Sequence, residues 1–391
     1  MADLVTQPYD KISPSMRSRY LALSPYNLVR IVLGERGDSD SESDNVYIRA
    51  AAHLASWTAA GVLTRDSEPG IFPYFQEFTV PDTGERLARK GFIALGAVED
   101  YAAGVVFRHE QTLSGPKKDR MELLRHTHAH FGQIFMLYSD RNGAIDSLLD
   151  QSAAREPLAQ VTDEYGAAHR LWKITASRAI EELMAEKRLL IADGHHRYET
   201  ALAFRKENPE LPGADRVMMT FVNMYSPGLR ILATHRLVNG LDPAVIPEAF
   251  LNAAAQDFAV REIASTAELQ SSWQESGDRT MIGAAIGTRL FQLEYRGQGE
   301  LDVRVLHDKL LAKALGIGDA AVRDEKHLRY IRGLDAAVEE ARTGAAQIAF
   351  LLKATSVEQV AETSFAGGVM PQKSTDFYPK LLSGLTIYKL E

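Results

Sequence analysis

The feature that most constrains this chain is a junction. Residues 189–192, Leu-Leu-Ile-Ala, form a short and fully apolar run that breaks at Asp193-Gly194 and continues as His-His-Arg-Tyr-Glu-Thr-Ala-Leu. A run of that length and character is a buried strand, and the residues after the break form a helix entered through a tight turn. Asp193 is the expected N-cap, its carboxylate accepting from backbone N–H groups one turn in, and Gly194 lets the backbone approach a ligand closely. The first turn of that helix carries free N–H groups and partial positive charge. With His195, His196 and Arg197 added, it is suited to an anion and best suited to phosphate. The competing reading is a solvated first turn after a common Asp-Gly bend. A shared metal on His195 and His196 is disfavoured because adjacent helical residues point about 100° apart.

Elsewhere the pattern alternates. Residues 71–80 and 87–98 read as a hairpin around Pro-Asp-Thr-Gly, and 158–175 as another around Tyr165-Gly166. Helices are expected over 50–64, 117–130 and 176–187, and buried strands over the QIFMLYS stretch and 217–224. From 243 to 363, helices and strands alternate through 243–255, 280–295, 307–314, 334–343, 347–352 and 357–361. The fold class is therefore mixed α/β, without a repeat. Residues 34–45, acidic and lacking apolar side chains, form a solvated loop.

Composition excludes several functions. The 391 residues hold 52 Asp and Glu against 44 Lys and Arg, a formal charge of -8, which repels a nucleic-acid backbone. No cysteine is present, which removes disulfides, thiolate metal sites and thiol nucleophiles together. The longest uncharged run, 50–64, falls short of the ~20 residues a membrane span needs. With no leader-like start, the expectation is a cytoplasmic protein with no membrane partner.

Three further clusters carry possible chemistry. His126 and His130 have the spacing of a helical metal pair, with His128 between them, but no acidic residue completes a zinc-protease pattern. Arg108-His109-Glu110 comes after an apolar run at a strand end, where a carboxylate could serve as general base and where an exposed turn is the equal alternative. Residues 367–374, Gly-Gly-Val-Met-Pro-Gln-Lys-Ser, imitate a phosphate loop but carry a proline and lack a preceding strand. Lys373, Ser374 and Lys380 still put two cations and a hydroxyl within eight residues.

The stretches QPYDKIS, SPYNLVRI, RHEQT, DRMELL, ADGHHRYETAL, THRLV, LDVRVLH and MPQKSTDFYPKLLSGL together resemble domain-of-unknown-function (DUF) family 1015 over nearly the whole length. That family is associated with an ATP-dependent L-serine kinase. The Asp-Gly-His-His-Arg core also looks like the nucleotide motif of the ParB and sulfiredoxin superfamily. The resemblance implies a ParB/sulfiredoxin-like nucleotide-binding core over 1–240, a second α/β lobe over 241–363, and a tail, 364–391, returning to the active-site cleft. Sulfiredoxin activity is excluded by the missing cysteine.

The resemblance further implies a kinase of a small molecule, ATP plus L-serine giving ADP and O-phospho-L-serine with Mg²⁺. Gly194, His195, His196, Arg197, Lys373, Ser374 and Lys380 would hold phosphates. Glu110 or Asp193 would act as base, with His196 in the catalytic group and Asp193 a possible magnesium ligand. His109, Arg236 and Arg30 would contact the substrate. The alternative is a regulatory ATP or CTP switch without turnover. A metal hydrolase built on His126 and His130 is the third reading. The sequence leaves the oligomeric state open.

Overall fold

The computed structural model describes residues 1–110, 114–242 and 247–390, the side chains of 114–116 excepted. Gln111 and Thr112 of the RHEQT stretch and residues 243–246 of the expected helix 243–255 lie outside the described residues. The fold is mixed α/β with several sheets, and the chain divides into two units. The first comprises Met1–Val80, Glu85–Leu229 and Pro379–Glu391, the second Pro81–Gly84 and Arg230–Tyr378.

The first unit is built on an eight-stranded sheet. In spatial order its strands are Val106–Phe107, Leu189–Asp193, Ile134–Tyr138, Arg216–Asn223, Arg86–Ala97, Phe72–Thr79, Ala168–Leu171 and Ala159–Thr162. The central strands are buried over nearly their whole length because both faces are covered, and they accordingly carry largely apolar runs rather than alternation. Ile134, Met136, Ile191, Val217, Met219 and Phe221 form their core with Tyr198 and Ala201 of the helix His195–Glu207. Both expected hairpins are present, with Tyr74 opposite Gly91 in one and Val161 opposite His169 in the other. The last strand of this unit, Tyr388–Lys389, pairs with Ala129–His130.

The expected helix over 117–130 is corrected. It runs Ser114–Thr127, and His128 then turns into the left-handed region, φ 46°. His130 sits on a strand, so His126 and His130 do not share a helix face. His126 instead directs Nδ1 at the Glu122 carbonyl, 2.8 Å away.

The second unit holds a six-stranded antiparallel sheet, ordered Phe258–Ile263, Arg289–Tyr295, Met281–Ile286, Ile348–Leu351, His235–Val238 and Leu328–Ile331. Two apolar clusters cover its faces. Val238, Ile348 and Phe350 meet Leu306 and Leu310 on one side, and Leu237, Ala349 and Leu351 meet Ala337 and Ala341 on the other. The segment Leu306–Ala314 is a π-helix. No helix among the described residues is long and apolar enough to cross a membrane.

Candidate functional site

Strand Leu189–Asp193 delivers its last residue to the tip of helix His195–Glu207. The N-cap is Gly194 and not Asp193, which corrects the sequence expectation. Gly194 adopts φ 99°, a left-handed conformation that costs a side-chain-bearing residue about 1–2 kcal/mol, and no side chain caps the helix. Asp193 remains in the strand and turns its carboxylate to cations. Lys380 Nζ lies 3.2 Å from one oxygen and Arg197 Nη2 3.9 Å from the other.

Burial would raise the Asp193 carboxyl, but the charges of Lys380, Arg197 and Lys11 outweigh it and hold the group well below the usual carboxylate range. Lys11 comes from the QPYDKIS stretch, so three cations from three distant segments converge on one carboxylate. Arg197 is seated by two glycines. A Cβ at Gly194 would meet its Nε at 3.0 Å, and one at Gly132 would meet its Nη1 at 2.9 Å. A cavity of about 50 Å³ lies beside it, lined among others by Tyr9, Arg120, Arg197, Thr200 and Ser383. That volume suits a few waters rather than a nucleotide.

The two histidines of the motif diverge. His195 is buried and its Nε2 accepts the His109 N–H at 3.4 Å, with the two rings edge to face, centroids 4.7 Å apart. His109 is likewise buried and donates Nδ1–H to the Ile191 carbonyl at 2.8 Å. Burial pushes the His109 imidazole down to about 4, and burial with the neighbouring His109 pushes His195 well below its ordinary value. Both are thus neutral spacers that fix the turn. His196 is half-buried, lowered by burial and raised by the charges of Glu110, Asp10 and Glu199. Those effects bring Glu110 and Asp10 into the same electrostatic neighbourhood.

The placement of Lys380 has its own machinery. Buried Arg89 donates to the Pro379 carbonyl at 2.5 Å and to Gln76 Oε1 at 2.9 Å, while Gln76 Nε2 donates to the Lys380 carbonyl at 2.9 Å. Tyr74 accepts the Leu382 N–H at 3.4 Å and shares a 2.6 Å hydrogen bond with His169 Nδ1, whose Nε2 lies 3.2 Å from Asp163. Gln7 donates Nε2 to that same Asp163 at 3.3 Å. One buried polar chain therefore ties down both the segment bearing Lys11 and the segment bearing Lys380.

A cleft of about 570 Å³ runs along the helices Ser114–Thr127 and His195–Glu207, with Tyr101, Arg108, Lys117 and Glu199 among its lining. Arg108 and Lys117 both pair with Glu199, at 3.3 Å and 2.9 Å.

The remaining expected residues lie elsewhere. Arg30 donates to the Leu21 carbonyl at 2.8 Å in the first unit. Arg236, Lys373 and Ser374 belong to the second unit, where the Ser374 hydroxyl donates to the Pro371 carbonyl. The described residues contain no group of three side chains placed to hold a metal ion. Asp193, with its oxygens committed to cations, does not fit a magnesium ligand as arranged. Tyr9, Asp10, Lys11, Gln76 and Arg89 also serve this site and do not stand out in the sequence. The first three are signalled only by membership in the QPYDKIS stretch, Gln76 only by a polar residue among aromatic ones, and Arg89 by nothing, since Arg86 and Lys90 share its strand.

Fold and site together define a mixed α/β protein of two units with a glycine-capped, cationic helix tip. The chain belongs to the family described as "Protein of unknown function (DUF1015)", whose model matches residues 1–313. No curated protein matches it in sequence. Solved structures with some likeness include a conserved hypothetical protein from Pyrococcus furiosus, at 14% identity over 73% of this chain and 90% of that one, TM-score 0.39. A free serine kinase in complex with AMP is similar at 13% identity over 73% and 86%, TM-score 0.41. SbnI with a C-terminal truncation, from Staphylococcus aureus, is similar at 12% identity over 74% and 85%, TM-score 0.39.

Proposed function

We propose that this protein is a nucleotide-dependent kinase of a small hydroxyl compound, transferring the γ-phosphoryl of ATP to the hydroxyl of L-serine. The observation that carries the proposal is the tip of helix His195–Glu207, whose N-cap no side chain satisfies and which is flanked by Arg197, Lys380 and Lys11. Phosphoryl transfer asks a protein chiefly for positioning and charge neutralisation, which backbone N–H groups and fixed cations supply. Arg197 and the backbone at Gly194 and His195 hold phosphate oxygens in this scheme, and Lys380 exchanges part of its pairing with Asp193 for the transferring group. The cleft along the helix flank lies in the size range of small-molecule sites and is the proposed seat of the nucleoside. Magnesium enters as the ion the nucleotide's own phosphates carry.

Glu110 is the proposed base. A carboxylate held as acidic as Asp193 is a poor proton acceptor, so Asp193 orients its lysine and arginine instead. The serine hydroxyl gives its proton to Glu110 as its oxygen bonds to the γ-phosphorus, and ADP leaves with the electrons of the broken bond. Arg30, whose Nε has no protein hydrogen-bond partner, is the proposed counter-charge for the serine carboxylate.

Pure protein incubated with ATP, Mg²⁺ and L-serine should yield O-phosphoserine by mass spectrometry. No product across a panel of nucleotides and hydroxyl amino acids retires the kinase. Arg197→Ala should weaken ADP binding by about 1.5–3 kcal/mol in calorimetry, the size of a lost charge-assisted contact. A regulatory nucleotide switch is separated by acceptor dependence, because it would release γ-phosphate at the same rate with or without serine.

A further inference from the structure

The second unit buries a cation that has no counter-ion among the described residues. Arg236 lies in strand His235–Val238 at 1% exposure, in register with Tyr330 on one neighbour and Phe350 on the other. Its Nη1 and Nη2 are taken by main-chain carbonyls, those of Thr234 and of Lys373, the latter at 2.9 Å. Its Nε has no hydrogen-bond partner. The guanidinium carbon stands 5.6 Å from the centre of the Tyr330 ring, and none of the described carboxylates pairs with it. The acids of the neighbouring stretches are engaged elsewhere, Asp376 by Arg332 at 2.8 Å and Asp302 by Lys353 at 3.9 Å.

A second orphan belongs to the same unit. His307, on the π-helix Leu306–Ala314, is 8% exposed, and its Nε2 also lacks a partner. Its helix packs on the sheet face that carries Val238 and Phe350, the face to which the register also assigns Arg236. Burial, aided by the Arg236 charge, holds the His307 imidazole down at about 4. Lys373, whose carbonyl accepts from Arg236, adopts φ 57°, a left-handed conformation rare outside glycine and concentrated at functional sites. Burying an uncompensated cation is costly, and so is burying an unpaired donor. Water could satisfy the hydrogen bonds of both orphans, but it could not neutralise the guanidinium.

We propose that Arg236 Nε and His307 Nε2 form a binding site in the second unit for the carboxylate of a small organic acid. One full charge and two N–H donors, the second from His307 in its Nε2–H tautomer, match a carboxylate, with its single charge and two oxygens. A phosphate dianion would leave charge and oxygens unpaired between the same two donors. The site stands independently of the kinase reading and uses none of the residues at the helix tip.

The test uses the whole chain with sodium acetate, L-serine, inorganic phosphate and sodium chloride at matched ionic strength. The Arg236 Nε–H resonance, followed by nuclear magnetic resonance, should shift with acetate or serine and not with chloride. His307→Phe, which keeps the volume and removes the donor, should weaken the carboxylate about tenfold or more. ADP affinity, measured in parallel, should stay unchanged in that variant, so failure here and failure of the nucleotide site are separately visible. A resonance indifferent to both carboxylates overturns the proposal, as does tighter binding of phosphate than of either carboxylate. If His307→Phe does not fold, the shift in the unmodified protein alone decides.

Discussion

Removal of the Lys380 amine leaves Asp193 with one fewer cation in a largely enclosed setting. Lys380→Met should cost about 1–3 kcal/mol of stability at neutral pH, below the full cost of breaking a deeply buried pair because the Asp193 carboxylate retains Arg197 and some contact with solvent. The sign with pH comes from the direction of the shift. A carboxyl held below its unfolded value stabilises the fold above that value and loses the contribution as pH falls through the folded one. The difference between the two proteins should therefore shrink toward strongly acidic pH, as read by urea unfolding across pH. A constant difference would show that Lys380 acts by packing alone. Glu110→Gln should abolish transfer while leaving ADP affinity intact, and a fully active variant would return the role of base to another carboxylate.

Among the elements, the strand–turn–helix unit is legible in the sequence because four consecutive apolar residues and a glycine leave few alternatives. The cap is ambiguous for a local reason: aspartate and glycine both favour that position, and only the backbone angle of Gly194 decides between them. The expected overrun of the helix past Thr127 has a similar origin, since His128 continues the periodicity while breaking the backbone. Convergence of Lys11 and Lys380 on Asp193 cannot be read from sequence at all. It depends on a sheet bringing together strands remote in sequence, and on buried Gln76, Arg89 and His169 that resemble misplaced polar residues until their partners are seen. The motif histidines look solvent-facing as text, yet His195 is buried against His109, a residue remote in sequence. Two predictions belong here. Gly194→Ala should cost about 1–2 kcal/mol through its positive φ and also displace Arg197, lowering both the melting temperature and ADP affinity. His169→Phe should loosen residues 379–390 selectively, at about 1–3 kcal/mol for the unpaired groups left behind, with faster amide exchange there and little change in the central strands.

Across the whole molecule, buried histidines set the response to acid. His109, His130, His235 and His307 are all pushed down to about 4 by burial, and His195 lies well below its ordinary value. The unfolded chain takes up these protons near pH 6.5, so between there and about pH 4 it binds more of them than the native state does. Stability should rise with pH through that window and be lost as pH falls, by up to about 1.4 kcal/mol per pH unit for each histidine. Asp119 and Asp163, which burial would raise but cationic and hydrogen-bonding neighbours hold low, extend the loss at lower pH, while buried Asp146 and Asp302 oppose it. Because both units contain such histidines, urea midpoints between pH 7.5 and 5 should fall for the entire molecule, and a flat profile would contradict the burial described.

The chain leaves the first unit after Leu229 and rejoins it only at Pro379. On the ribosome, the whole intervening unit is therefore synthesised before Lys380 exists. The Asp-Gly-His-His-Arg turn thus precedes its ammonium partner by the length of an entire folding unit, so competence at that turn arrives with residue 380 rather than with the motif.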